Sequence, residues 1–98
     1  MNRGIIWTPE AETTFQAQLS YLEQTWPEMS LRKFIDRVYE MINHIGAHPE
    51  MYPVYQEENQ VRSCVISPYM TLYYKVVNEV IYLLTFWPIW QKAEKTDI

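Results

Sequence analysis

The last third of the chain constrains the fold most, because it is typical of three strands of which the last is apolar on both faces. The three segments are 61–66, 70–77 and 80–87, and the third, VIYLLTFW, has hardly any polar position. A strand of that kind must be covered on both sides. Two helices on one side of a small sheet cover it once, so we expect a protein partner on the other side.

Two amphipathic patterns precede these strands and predict helices. After a short apolar run at 4–7, which predicts a first strand, Thr8 suits the cap of a helix and Pro9 its first turn. The second helix is expected to begin with Ser30 as its cap and to end at Gly46. The short connection between the two helices predicts an antiparallel hairpin. The apolar stripes are Ala11, Phe15, Leu19, Leu22 and Trp26 in the first helix, and Leu31, Phe34, Ile35, Val38, Met41, Ile42 and Ile45 in the second.

The remaining segments complete a small α+β fold. Residues 48–60 contain two prolines and the run EEN, which predict a loop. Asn78 and Glu79 separate two strand patterns and predict a two-residue hairpin turn. The order strand-helix-helix-strand-strand-strand predicts an antiparallel meander with the helical hairpin packed on one face. With 98 residues, we expect one domain spanning 1–98.

Charge and cysteine content limit the functional classes. The net charge of −4 argues against a protein that depends on phosphate contacts, since such proteins usually carry a basic surface. Cys64 is the single cysteine and cannot form an internal disulfide, which favours the reducing cytoplasm. No segment approaches the roughly 20 apolar residues that a membrane helix needs, so no membrane partner is expected.

Four short motifs occur in a characteristic order. They are Trp7-Thr8-Pro9-Glu10-Ala11 at the first helix start, HPEMYP at 48–53, Val61-Arg62 at the start of a strand, and TLYYKV at 71–76 before a turn and an apolar strand. Together with the order of elements they resemble the RelE/ParE superfamily of bacterial toxins over residues 5–91. The resemblance implies a plasmid-stabilisation toxin of a type II toxin–antitoxin system. It also implies a cognate antitoxin that wraps the toxin, holds it inactive and forms a hetero-oligomer with it.

The resemblance leaves two toxic activities open. ParE-like members inhibit DNA gyrase without known chemistry of their own, whereas RelE-like members cleave messenger RNA in the ribosomal A site with basic residues on the open sheet face. Arg62 and Lys75 match basic positions of the family and are the catalytic candidates of this ribonuclease alternative. The acidic and amide-rich run at 56–60 and Trp90, where the family has an arginine, argue against it. We therefore favour the ParE-like, non-enzymatic interpretation and assign no catalytic residue. A toxin fold that acts as a binding module without toxicity is a further alternative.

Aromatic side chains near the C-terminus are the predicted partner contacts. Eight tyrosines and four tryptophans exceed what a core of this size needs. Aromatic residues of this kind dominate binding hot spots at protein interfaces. Trp90, Trp87 and Tyr73 are the candidates that we select.

The sequence predicts neither a metal nor a cofactor. His44 and His48 are four residues apart, which on a helix could form a metal pair. However, Gly46 is expected to break the helix between them, and no cysteine or third histidine is near. Cys64 lies in a predicted strand without a designated base, so we interpret it as buried packing and not as a nucleophile.

Overall fold

The chain is described at residues 4–68 and 70–88 of a computed structural model. A first strand is followed by two helices, a 3-10 turn and four further strands, which confirms the predicted α+β fold. The segment predicted as a loop contains the 3-10 turn and one short strand that the sequence analysis missed. The elements are β1 Gly4–Trp7, α1 Pro9–Thr25, α2 Glu28–Ala47, the 3-10 turn Pro49–Met51, β2 Val54–Gln56, β3 Val61–Ser67, β4 Met70–Val77 and β5 Val80–Pro88.

The strands form one sheet in the order β1-β5-β4-β3-β2. The predicted meander of β3, β4 and β5 is confirmed, and β1 joins it in parallel with β5, from Gly4 opposite Val80 to Trp7 opposite Leu83. The expectation that a protein partner covers the second face of the last strand stays a prediction. The central strand β4 is buried on both faces over 70–74, whereas β5 alternates between buried and half-buried residues over 80–84, next to the short edge strand β1.

The turn between β4 and β5 has the geometry that the sequence predicted. Asn78 and Glu79 both have positive φ, at 50° and 69°, and Val77 pairs with Val80 across them. Two consecutive residues of positive φ match the right-handed twist of the flanking strands. The turn therefore fixes the register of β5 against β4.

The two helices pack on one face of the sheet, and both predicted apolar stripes point towards it. Register places Leu72 and Tyr74 of β4 on this side and Thr71, Tyr73 and Lys75 on the other, as the alternation predicted. Within the described part of the chain, neither helix is long and apolar enough to cross a membrane. The core cluster consists of Ala11, Phe15, Leu22, Phe34, Val38, Ile42, Ile45, Cys64, Ile66, Met70, Leu72, Tyr74, Ile81, Leu83 and Phe86.

The start of α2 differs from the prediction. The helix begins at Glu28 and not after Ser30, because Pro27 is its N-cap with an extended ψ of 152°. The carbonyl of Pro27 accepts the first helical hydrogen bond from the backbone N–H of Leu31, at 3.1 Å. A proline that cannot donate a backbone hydrogen bond costs nothing at this position, since N-terminal N–H groups have no helical acceptor.

The end of α2 also differs from the prediction. Gly46 does not terminate the helix but is buried within it, and the helix continues to Ala47 with His48 as its C-cap. The backbone N–H of His48 still donates to the carbonyl of His44, at 2.8 Å. The stop comes from Pro49, which disfavours helical geometry at the residue before it.

Beyond the end of β1, threonine side chains at the start of α1 form hydrogen bonds with backbone groups on the outer edge of β5. The hydroxyl of Thr8, the predicted and observed cap of α1, donates to the carbonyl of Leu83 at 2.7 Å and accepts from the N–H of Ala11. Two turns further on, the hydroxyl oxygen of Thr14 accepts a hydrogen bond from the backbone N–H of Phe86, at 3.0 Å. The helix thus replaces a strand partner along this part of β5.

This replacement can be tested with Thr14→Val. Valine keeps the size and branching of threonine but leaves the N–H of Phe86 without an acceptor, so the free energy of unfolding should fall by about 1–3 kcal/mol. Thr13→Val is the matched control, because Thr13 is exposed on the same helix. Urea unfolding of both variants gives the comparison, and equal losses would contradict the role of Thr14.

Candidate functional site

The face of the sheet opposite the helices carries a compact block of four side chains. Thr71 of β4 is directly opposite Trp87 of β5, and Tyr73 is directly opposite Thr85. Thr71, Tyr73 and Thr85 are 1%, 1% and 3% exposed, and Trp87 is half-buried. The structure therefore brings the predicted contacts Tyr73 and Trp87 together on one face, which we call the open-face block.

Several polar atoms of the open-face block are buried without a hydrogen bond. Among the residues that the structure describes, these include the hydroxyl oxygens of Thr71 and Thr85 and the indole nitrogen of Trp87. A buried polar group that lacks a partner costs about 1–3 kcal/mol.

An exposed apolar rim lies beside the open-face block. The ring of Tyr55 on β2 packs at 4.8 Å from the ring of Tyr73 and remains 41% exposed. Val65 of β3, opposite Thr71, is 60% exposed. The sequence analysis missed both residues. The alternation of β3 places Val65 on this face, whereas Tyr55 fell in a segment predicted as a loop.

The predicted partner contacts differ in how much surface they offer. Tyr73 is buried and supports the exposed ring of Tyr55, so in this structure Tyr55 presents the surface. Trp87 is half-buried at the end of β5. Trp90 lies outside the described residues, and its role stays a prediction.

The two basic residues of the ribonuclease alternative lie on opposite faces of the sheet. Arg62 is opposite Tyr74 and so faces the helix side, where its Nη1 donates to the carbonyls of Tyr52 at 2.6 Å and Glu50 at 3.4 Å. Lys75 follows Tyr74 in β4 and therefore faces the open side, opposite Tyr82. The structure does not bring the two cations to a common phosphate position, and Arg62 instead ties the 3-10 turn to β3.

Two titratable side chains of the neighbouring strand segments are buried, namely Cys64 of β3 and Tyr74 of β4. Burial raises the pKa of the Cys64 thiol to about 11, and burial likewise raises the pKa of the Tyr74 phenol. Tyr74 donates from its hydroxyl to the carbonyl of Pro49 at 2.5 Å. Cys64 is fully buried in the core, as predicted, and its raised pKa keeps the thiol protonated and poorly nucleophilic at neutral pH.

A groove at the closed end of the helical hairpin is a second candidate surface. It has a volume of about 450 Å³, with Trp26, Leu31 and Ile35 as its apolar lining. Glu23 and Glu28 contribute carboxylates to its rim, together with one arginine. Such a groove suits a segment that carries apolar side chains with basic residues beside them.

Comparison with known proteins is consistent with this geometry. Residues 5–88 match the family described as ParE toxin of type II toxin-antitoxin system, parDE. No curated protein sequence matches the chain significantly. The family match includes every strand and both helices.

Solved structures share the fold at low sequence identity. A chain of the chromosomal ParDE toxin–antitoxin system from P. aeruginosa superposes with a TM-score of 0.72 at 14% identity, over 86% of this chain and 92% of that chain. A chain of the E. coli DinJ-YafQ toxin–antitoxin complex superposes with a TM-score of 0.62 at 12% identity, over 99% of this chain and 100% of that chain. At these identities the likeness concerns the fold.

The raised pKa values predict how stability depends on pH. The folded chain holds the Cys64 proton up to a pKa of about 11, whereas the unfolded thiol releases it near its ordinary value of 9.0. The contribution of the protonated thiol to the stability of the folded chain is therefore complete below about pH 9 and is lost as the pH rises towards 11. One pKa unit corresponds to about 1.4 kcal/mol, so Cys64 accounts for at most about 3 kcal/mol.

Urea unfolding at a series of pH values from about 8 to 11 measures this loss. Cys64→Ala lowers stability at every pH because it leaves a cavity, but the decline with pH should become shallower. An equally steep decline in Cys64→Ala would show that the thiol does not carry it.

Proposed function

The chain belongs to the family of ParE toxins of type II toxin–antitoxin systems, and on this premise we propose that it inhibits growth by binding DNA gyrase and that a cognate antitoxin neutralises it. The observation that carries the proposal is the composition of the open sheet face. That face offers an exposed apolar rim at Tyr55 and Val65, which suits recognition of a protein. Its described residues do not include the paired cations that cleavage of RNA requires.

The charge distribution supports recognition over chemistry. Cleavage of a phosphodiester needs a base and cationic groups around one phosphate. Among the described strand residues, Lys75 is the one cation on the open face, and Arg62 is engaged with carbonyls on the other face. The net charge of −4 adds no attraction for RNA.

The two candidate surfaces support a wrapping antitoxin. The open-face rim of Tyr55 and Val65 and the hairpin groove at Trp26 and Leu31 lie on different elements of the fold. A single extended partner segment that reaches both would bury apolar surface at two separated places. This arrangement favours a long, flexible antitoxin segment over a compact docking domain.

Gyrase inhibition can be tested with the purified chain and with induced cells. We expect relaxed plasmid to stay relaxed when gyrase, ATP and the toxin are combined, and messages in induced cells to remain uncut at A-site codons by primer extension. Addition of the antitoxin should restore supercoiling, because the antitoxin occupies the same toxin surface.

Lys75→Met is the informative variant for the ribonuclease alternative. It removes the Lys75 cation from the open face and leaves the hydrogen bonds of Arg62 intact. Codon-positioned cleavage that disappears in Lys75→Met would overturn the proposal in favour of a ribosome-dependent endoribonuclease. Antitoxin binding without gyrase inhibition or RNA cleavage would support the alternative that the chain is a binding module without toxicity.

The predicted role of Trp90 as an interface anchor has its own test. Truncation of a buried interface tryptophan typically costs about 2 kcal/mol or more, roughly thirtyfold in affinity, so Trp90→Ala should weaken antitoxin binding or gyrase inhibition by that factor. The melting temperature of the free protein should change little. Calorimetry and thermal unfolding provide both values.

Met51→Ala is the control for Trp90→Ala, because Met51 is 68% exposed in the 3-10 turn and belongs neither to the open-face block nor to the lining of the hairpin groove. It should leave both affinities unchanged. Wild-type affinities for both partners in Trp90→Ala would rule out an anchor, and a large drop in its melting temperature would place Trp90 in the core.

A further inference from the structure

We propose that His44 and His48 form a binding site for a divalent transition metal that imidazole favours, namely Cu²⁺, Ni²⁺ or Zn²⁺. The two side chains are exposed, and their ring centroids are 5.2 Å apart. This separation suits two imidazoles that bind one ion, and imidazole is a preferred ligand of these metals. The inference does not depend on the toxic activity of the chain.

The continuation of α2 creates the pair. The sequence analysis rejected a metal because Gly46 was expected to break the helix between the histidines. In the structure the helix passes through Gly46 to Ala47, and the N–H of His48 still donates to the carbonyl of His44. Both rings therefore lie at the C-terminal end of one helix, where the helix dipole favours a cation.

A hydrogen-bonded neighbour orients the ring of His44. Its Nδ1 lies 2.6 Å from the hydroxyl oxygen of Tyr52. When His44 donates from Nδ1 to the Tyr52 oxygen, the Nε2 of His44 presents its lone pair to a metal. Partners of this kind set the tautomer of metal-binding histidines, so Tyr52 would act as a positioning residue.

The surroundings leave room for a hydrated ion. A recess of about 350 Å³ beside His48 is lined by residues 47–51, and the acidic Glu50 is among them. Over residues 4–68 and 70–88, no group of three or more histidine, cysteine, aspartate or glutamate side chains is arranged to hold a metal. We therefore infer two protein ligands with water completing the coordination, and an exchangeable ion instead of a structural one.

Metal titration of the untagged chain tests the site. Calorimetry with copper(II), nickel(II) and zinc(II) salts at neutral pH should give one site per chain, with copper bound most tightly, as the general order of affinities predicts. His44→Ala and His48→Ala should each weaken binding at least tenfold, because either change removes one of the two ligands. Asn43→Ala is the control, since Asn43 is exposed beside His44 and should leave the affinity unchanged.

Tyr52→Phe separates a positioning role from a structural one. The variant keeps the ring but removes the hydroxyl, and we expect a loss of affinity of about tenfold, together with a change in the nitrogen-15 shifts of His44 that reports a different tautomer. Electron paramagnetic resonance of the copper complex should show two coordinated nitrogens. Coordination by one nitrogen, or full affinity in either histidine variant with a wild-type melting temperature, would overturn the proposal.

Discussion

The outer edge of β5 is the constraint on which the rest of the structure depends. Its first half pairs in parallel with β1, and its second half receives side-chain hydrogen bonds from Thr8 and Thr14. This arrangement joins the N-terminal strand to the last strand of the meander and places α1 over the core at the same time. Because α1 and α2 form a hairpin, the position of α1 also determines where α2 packs. The helices therefore cover one face only, and the opposite face is left for other contacts.

The division between the two faces separates the two basic residues that the sequence analysis considered for catalysis. Side chains alternate along a strand, so residues that are neighbours in sequence face opposite sides of the sheet. Residues that are directly paired across two strands face the same side, and the register therefore fixes the side of each residue. Arg62 shares the face of Tyr74 and is used to hold the 3-10 turn, whereas Lys75 stands on the other face. Two basic residues that match family positions in sequence thus belong to different parts of the molecule.

The sequence predicted the elements whose patterns repeat, and it missed those that depend on distant contacts. The helical stripes, the capping by Thr8, the turn at Asn78 and Glu79 and the two faces of β4 follow from local periodicity and turn chemistry. The short strand β2 has three residues and exists because β3 pairs with it, which no local pattern indicates. The face of Arg62 required the register of β3 against β4. The open-face block, with the unpaired hydroxyls of Thr71 and Thr85, likewise required knowledge of which residues stand opposite each other.

The misjudged end of α2 shows how one local rule can change a functional conclusion. Glycine is a frequent terminator, but it ends a helix only when the chain adopts a left-handed conformation there. Gly46 is buried in the helix, and Pro49 supplies the stop three residues later. The continued helix brings the ring of His48 close to that of His44, whose Nδ1 lies 2.6 Å from the hydroxyl oxygen of Tyr52. The proposed metal pair therefore depends on a helix end that the glycine rule did not predict.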